Sequence, residues 1–173
     1  MSSALVIEFL KAQLFALPIY IANAAPSIFG GGLPVDFYHT FRDGKRIFGD
    51  HKTWRGLIAG VIAGTLTGLL IWWFFEGNIF SEYPWFLGLL MSISDQIADL
   101  SGSFIKRRIN IQPGGSLPVY DQLSWLGIGL LVSWPFVPSI PWYYYVMLMV
   151  PAPLIHIGSS FLAYKLGFKE VWW

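Results

Sequence analysis

Five stretches of this chain are apolar for about the ~20 residues that a bilayer crossing requires: 3–22, 55–75, 84–105, 122–140 and 142–164. A segment buried in hydrocarbon has to satisfy its own backbone hydrogen bonds, so runs of this length fold as helices. The expectation is therefore an all-α polytopic protein with five transmembrane helices, forming one integral membrane domain over 1–173. Charge is too scarce for any other surface. Only 12% of residues are charged, against about 25% in a soluble domain. The chain has no cysteine, which excludes disulfides, thiolate catalysis and cysteine-ligated zinc or iron–sulfur sites. No basic residue precedes the first apolar run, so it reads as a span that stays in the mature protein and not as a cleaved signal.

The connections divide by charge. Segment 23–54 holds Arg42, Lys45, Arg46 and Lys52, segment 106–121 holds Lys106, Arg107 and Arg108, and the tail holds Lys165 and Lys169. Connections 76–83 and 136–142 have neither Lys nor Arg. The positive-inside rule then puts the N-terminus outside and the C-terminus in the cytoplasm, with both basic loops on the cytoplasmic side of the cell membrane. Aromatics at the span ends, such as Trp72, Trp73, Trp85, Trp142, Trp172 and Trp173, suit interfacial belts. The 23–54 loop is long for so small a protein and too rich in aromatics for a disordered linker. It is expected to fold against the membrane face.

Polar residues inside spans are costly and therefore informative. Asp95 and Asp99 are four apart and share a helical face, Ser103 and Lys106 continue it, and Asp121 returns beyond a Pro-Gly-Gly turn. Stacked carboxylates over a cationic end point to a hard divalent cation, Mg²⁺, holding a phosphorylated ligand. The alternative is that these acids pair with Lys or Arg and only hold the bundle. The collar of Lys45, Arg46, Lys52, Lys106, Arg107 and Arg108 suits phosphate groups, or else orients the protein and attracts anionic headgroups. Asn23 reads as a helix cap or as a hydrogen-bonding ligand contact. Glu8 and Lys11, three apart, read as a structural pair. Gly56, Gly60 and Gly64 read as a helix-packing face, and Pro151 and Pro153 as a kink in the last span. His39, His51 and His156 lack metal-ligand spacing. There is no P-loop, no Gly-x-Ser-x-Gly and no His-Glu-x-x-His. Nothing indicates nucleic-acid binding.

Three elements in order carry a resemblance. They are His51-Lys52-Thr53-Trp54-Arg55-Gly56, then Asp99-Leu100-Ser101-Gly102-Ser103-Phe104-Ile105-Lys106-Arg107, then Pro113-Gly114-Gly115-Ser116 leading to Asp121-Gln122-Leu123-Ser124. The set resembles the membrane CTP-dependent cytidylyltransferases of the CDP-diacylglycerol synthase type. Their elements run Lys-Lys-Thr-Trp-Glu-Gly, Asp-Leu-x-x-Ser-x-x-Lys-Arg and Pro-Gly-His-Gly-Gly-x-x-Asp-Arg-x-Asp. The short chain, with Asn23-Ala24-Ala25-Pro26 and Phe48-Gly49-Asp50-His51-Lys52-Thr53, is similar to the archaeal branch, the CDP-archaeol synthases. In the third element Gly115 stands for the signature histidine, Gln122 for arginine and Ser124 for the final aspartate.

The resemblance implies that CTP and 2,3-di-O-geranylgeranylglyceryl phosphate give CDP-archaeol and pyrophosphate. It assigns metal binding to Asp99 and Asp121, joined by Asp95 on geometry. It assigns nucleotide-phosphate contact to Lys52, Lys106 and Arg107, with Lys45 and Arg46 from the collar and Asn23 from the archaeal motif. Lys106, Arg107 and Asp121 are the expected catalytic residues, and the 23–54 loop is expected to close over the nucleotide. The alternative is a multi-span ion or small-solute transporter using Glu8, Asp95, Asp99 and His156.

Overall fold

The computed structural model describes residues 3–112, 115, 117 and 119–167. Pro113, Gly114 and Ser116 of the third element, and Lys169, Trp172 and Trp173 of the tail, lie outside the described residues. The chain forms α1 (Ser3–Phe29), α2 (Trp54–Phe75), α3 (Leu87–Arg108), α4 (Tyr120–Ser133), α5 (Trp142–Met149) and α6 (Ala152–Lys165), with one 3₁₀ turn at Trp134–Phe136. Among the described residues there is no strand beyond isolated bridges, so the all-α expectation holds.

α1 and α2 are long and apolar enough to cross a membrane. α5 and α6 add a third crossing if they count as one span, bent by 42° at the break before Ala152. The bend falls at Pro151, where a kink was expected. α3 has the length, 22 residues, but its second half is polar, and α4 stops after 14 residues, where Pro135 sits in the 3₁₀ turn.

α2 shows why the sequence prefers lipid. Gly56, Gly60, Gly64 and Gly68 are buried along one side. Trp54, Ile58, Ile62, Leu66 and Leu70, also four apart, are 38–58% exposed along another. Water would penalise that second stripe, whereas lipid does not. The glycine side brings α3 close: a Cβ on Gly88 would stand 2.5 Å from the Gly68 Cα.

α1 is central and packs against α2, α3, α4 and α5. Its Phe15 and Ile19 join Leu87 and Met91 of α3 and Leu126 and Leu130 of α4 in the core. It contains Pro18 and Pro26 yet continues to Phe29. Pro26 has no N–H for the Ala22 carbonyl four residues back, and Gln96 Nε2 on α3 donates to that carbonyl at 3.0 Å. The helix therefore runs past residue 22, the expected end of the span. Asn23 lies within it and is not a cap. The expected loop 23–54 shortens to 30–53. At the other end of α1, Lys11 pairs with Glu8 at 2.9 Å, as expected. The hydroxyls of Tyr144 and Tyr143 donate to Glu8 at 2.9 and 3.2 Å, which ties α5 to α1.

Candidate active site

The site is built where loop 30–53 meets the ends of α1 and α3. The loop is organised by Asp36, which is buried. Its carboxylate accepts Arg46 Nη2 at 2.6 Å and the backbone N–H groups of Phe48 and Gly49 at 3.0 Å each. Burial alone would raise its pKa, but the Arg46 guanidinium and these N–H groups outweigh burial and hold it at about 2.

The loop is strapped to the last turn of α3. Lys45 Nζ donates to the Arg108 carbonyl at 2.8 Å, and Arg108 reaches back to Asp43 at 3.0 Å. The Arg108 guanidinium also lies 4.6 Å from the Phe104 ring centroid and 5.1 Å from that of Phe41. Lys106, Arg107 and Arg108 are the helical last turn, beyond the expected end at 105, where cations complement the helix dipole. Thr53 caps α2 by accepting from Gly56 N at 3.2 Å, and it also accepts from Gly31 N at 3.2 Å. These two hydrogen bonds fold the end of α1 back towards the start of α2 and place Lys52 against α3.

These elements enclose a cavity of about 800 Å³. Its wall includes Asn23, Lys45, Arg46, Lys52, Asp99, Lys106, Arg107 and Asp121 together with Ser103 and Ser124. The expected site residues thus converge, with one exception. Asp95 is fully buried and is not among the residues lining the cavity. Its oxygens accept Asn23 Nδ2 at 3.0 Å and Gln96 Nε2 at 2.8 Å.

The remaining carboxylates are met by lysines. Lys52 Nζ lies 2.5 and 2.7 Å from the two Asp99 oxygens, and Lys106 Nζ lies 2.6 Å from Asp121. Asp121 also accepts Leu117 N at 2.8 Å. Arg46 is committed to Asp36 and Asp50. Arg107 lines the cavity and pairs with no carboxylate among the described residues, and its Nε is buried without a hydrogen-bond partner.

No group of three or more His, Cys, Asp or Glu among the described residues is arranged to hold a metal ion. Asp95, Asp99 and Asp121 therefore do not form a ready-made cage. The donor set nevertheless fits Mg²⁺, which is generally held by one or two carboxylates plus substrate phosphate oxygens and not by an all-protein cage. The sequence passed over Gln96, Asp36 and Tyr120 as chemistry. Tyr120 hydroxyl and Ser101 Oγ are 2.6 Å apart, which fixes the start of α4 beside Asp121. The signal available for Gln96 was its place one residue after a buried acid, opposite a helix proline.

A solved structure of an intramembrane enzyme for archaeal membrane lipids biosynthesis matches with a TM-score of 0.75 and 31% identity, over 88% of this chain and 94% of that one. Fold and site together define a membrane-embedded enzyme of lipid biosynthesis. The CarS-like CDP-archaeol synthase family matches residues 4–173. The CDP-archaeol synthase of Pyrococcus furiosus is 43% identical over 169 residues, covering 95% of this chain and 98% of that protein. That of Methanococcus aeolicus is 40% identical over 172 residues, covering 95% and 96%. The chain belongs to the CDP-archaeol synthase family, as the three motifs led one to expect, and the transporter alternative draws no support from these relatives.

Proposed function

We propose that this chain transfers CMP from CTP to 2,3-di-O-geranylgeranylglyceryl phosphate, giving CDP-archaeol and pyrophosphate, in the cavity at the basic end of the bundle. The observation that carries the reading is the convergence of Lys52, Lys106 and Arg107 with Asp99 and Asp121 around one cavity, on the motifs shared with the family. The topology proposed with it is five crossings with the N-terminus outside and the cavity opening to the cytoplasm. It is supported by the grouping of basic residues other than Lys11 in the two basic loops, the tail and the helix ends that adjoin them.

The lipid phosphate is a monoester with its second pKa near ~6, so it is ionised at neutral pH and needs no strong base. One of its oxygens attacks the α-phosphorus of CTP in line. The bond to the bridging oxygen breaks and pyrophosphate leaves with the electron pair. The barrier is mostly the approach of two polyanions. Arg107, which meets no carboxylate among the described residues, offers its guanidinium to the phosphates. Lys52 and Lys106 are placed to exchange their carboxylates for phosphate oxygens. Asn23 and Gln96 hold Asp95 in one orientation under the cavity. Asp99 and Asp121, which line the cavity, would hold Mg²⁺, which would supply charge neutralisation at the phosphates, with Asp95 buried behind them.

The test is incorporation of radiolabelled CTP into lipid by purified protein with Mg²⁺. Wild type should label the lipid, with pyrophosphate released only when the lipid phosphate is added. Asp99→Asn should lose activity about 10²-fold or more, the usual cost of removing a preorganised electrostatic group. Equal activity in both would reduce Asp99 to a packing role. No label from folded wild type would refute the reaction.

A further inference from the structure

The polar end of the bundle carries an exposed surface that the cavity does not use. Phe37 and Tyr38 are 50% and 62% exposed. Both have positive φ, 48° and 66°, a region that crowds the Cβ of an L-residue. In water neither the strain nor the exposure of two consecutive aromatics has any compensation. The turn is nonetheless held firmly: Tyr38 N donates to Asp36 at 3.2 Å, and the Arg46 guanidinium lies 5.1 Å from the Tyr38 ring centroid.

The position of these rings supplies the missing partner. The Phe37 and Trp54 rings are in contact, with centroids 6.0 Å apart. Trp54 is the first member of the exposed stripe that continues through Ile58, Ile62, Leu66 and Leu70. Trp73, near the other end of α2, is also exposed. At ~1.5 Å per residue, Trp54 and Trp73 stand about 28 Å apart along the axis, close to the ~30 Å of a hydrocarbon core. Trp54 therefore marks one interface, and Phe37 and Tyr38 lie beside it. Leu33, whose carbonyl accepts Trp54 N at 3.1 Å, is exposed at the same level. Arg55, next to Trp54, is exposed, which gives a combination of aromatic rings and a cation that suits phosphate headgroups.

We infer that Leu33, Phe37 and Tyr38 form a membrane-interface anchor, seated in the headgroup region of the leaflet that borders the cavity. The anchor is a positioning device. Asp36, next to Phe37, holds the N–H groups of Phe48 and Gly49 in the cavity wall, and Val35 N donates to the Lys52 carbonyl at 2.7 Å. The bilayer thereby sets the depth of the loop, and the loop sets Lys52.

The chain has no cysteine, so single-cysteine labelling is clean. Phe37→Cys and Tyr38→Cys are labelled with an environment-sensitive fluorophore in nanodiscs containing lipid with a nitroxide near the headgroup. Ile62→Cys on the lipid face and His51→Cys on the polar cavity wall serve as references. Labels at 37 and 38 should show blue-shifted emission that nitroxide lipid quenches, while the label at 51 should show neither. Emission at 37 and 38 that matches position 51 overturns the anchor, as does a blue shift without quenching, which would mean cover by protein. A second measurement uses no label: trypsin cleavage at Arg42 and Lys45 in nanodiscs should accelerate in Phe37→Ser/Tyr38→Ser and not in Phe37→Leu. Equal rates in both would also overturn it. Neither readout requires turnover, so both stand apart from the proposed reaction.

Discussion

Replacing Gly88 by alanine tests whether the close approach of α2 and α3 holds the bundle together. The added Cβ would stand 2.5 Å from Gly68 Cα, 3.1 Å from Gly68 N and 3.2 Å from Gly64 O. All three are backbone atoms and cannot rotate away. Carbon–carbon contact is comfortable at about 3.5–4.0 Å, so the helices must part by roughly 1 Å at this level. Overpacking of this kind costs about 1–3 kcal/mol. At about 2–4 °C per kcal/mol for a chain of this size, Tm should fall by roughly 2–12 °C. The assay is thermal unfolding in detergent, with Gly158→Ala alongside. A Cβ at Gly158 meets nothing within 4 Å, and the helical preference of alanine predicts a gain of roughly 0.5–1 kcal/mol there. Because Lys52 precedes α2 and Asp99 sits on α3, parting the two helices should also lower activity in Gly88→Ala. A Gly88→Ala protein as stable as wild type, or a Gly158→Ala protein destabilised equally, would refute the reasoning.

Two further outcomes follow from the site. Asp36 titrates at about 2 in the folded chain against an ordinary 3.8. In that window the unfolded loop binds more protons than the folded one, so stability rises with pH. The contribution, about 2 kcal/mol at 1.36 kcal/mol per unit, is complete above about pH 4 and is lost as pH falls towards 2. Hydrogen exchange of loop 30–53 between pH 5 and 2, as probe conditions chosen around this window, should show progressive opening in wild type and a flat response in Asp36→Asn. Removing Arg107, which strands no carboxylate among the described residues, should leave Tm unchanged. A charge-assisted bond of about 1.5–3 kcal/mol would raise the KM for CTP roughly 10–150-fold in Arg107→Gln. A lowered Tm with unchanged KM would make Arg107 structural.

Helices were legible in the sequence, although segment 142–164 divides into α5 and α6, because apolar length is a coarse signal that lipid makes decisive. Their ends were not. α1 overran its expected limit at residue 22: Pro26 leaves the Ala22 carbonyl without its helical donor, and the compensating donor, Gln96, comes from another helix. α3 took in Lys106–Arg108 because cations are favourable in a last helical turn, even though their charge resembles a loop. The cavity lining was legible in large part, because the motifs order residues that line it, while Asp95 stays out of it. What could not be read was which charge meets which. That Lys52 takes Asp99 and Lys106 takes Asp121 depends on where a capping threonine and a short α4 place the chain. Gly68 and Gly88 were missed for the same reason, since a close approach belongs to two helices at once.

The two lysine–aspartate pairs also make the cavity an ion exchanger. A bare polyanion gains the ammonium groups only by stranding two carboxylates in a partly desolvated wall, and a bare dication gains the carboxylates only by stranding two ammoniums. A metal-complexed nucleotide brings both signs and strands neither. Arg107 and Lys45, which line the cavity and meet no carboxylate among the described residues, tilt that balance towards anions. If the proposed reaction holds, the wall would act as a coincidence filter, admitting the nucleotide and its counter-ion together more readily than either alone.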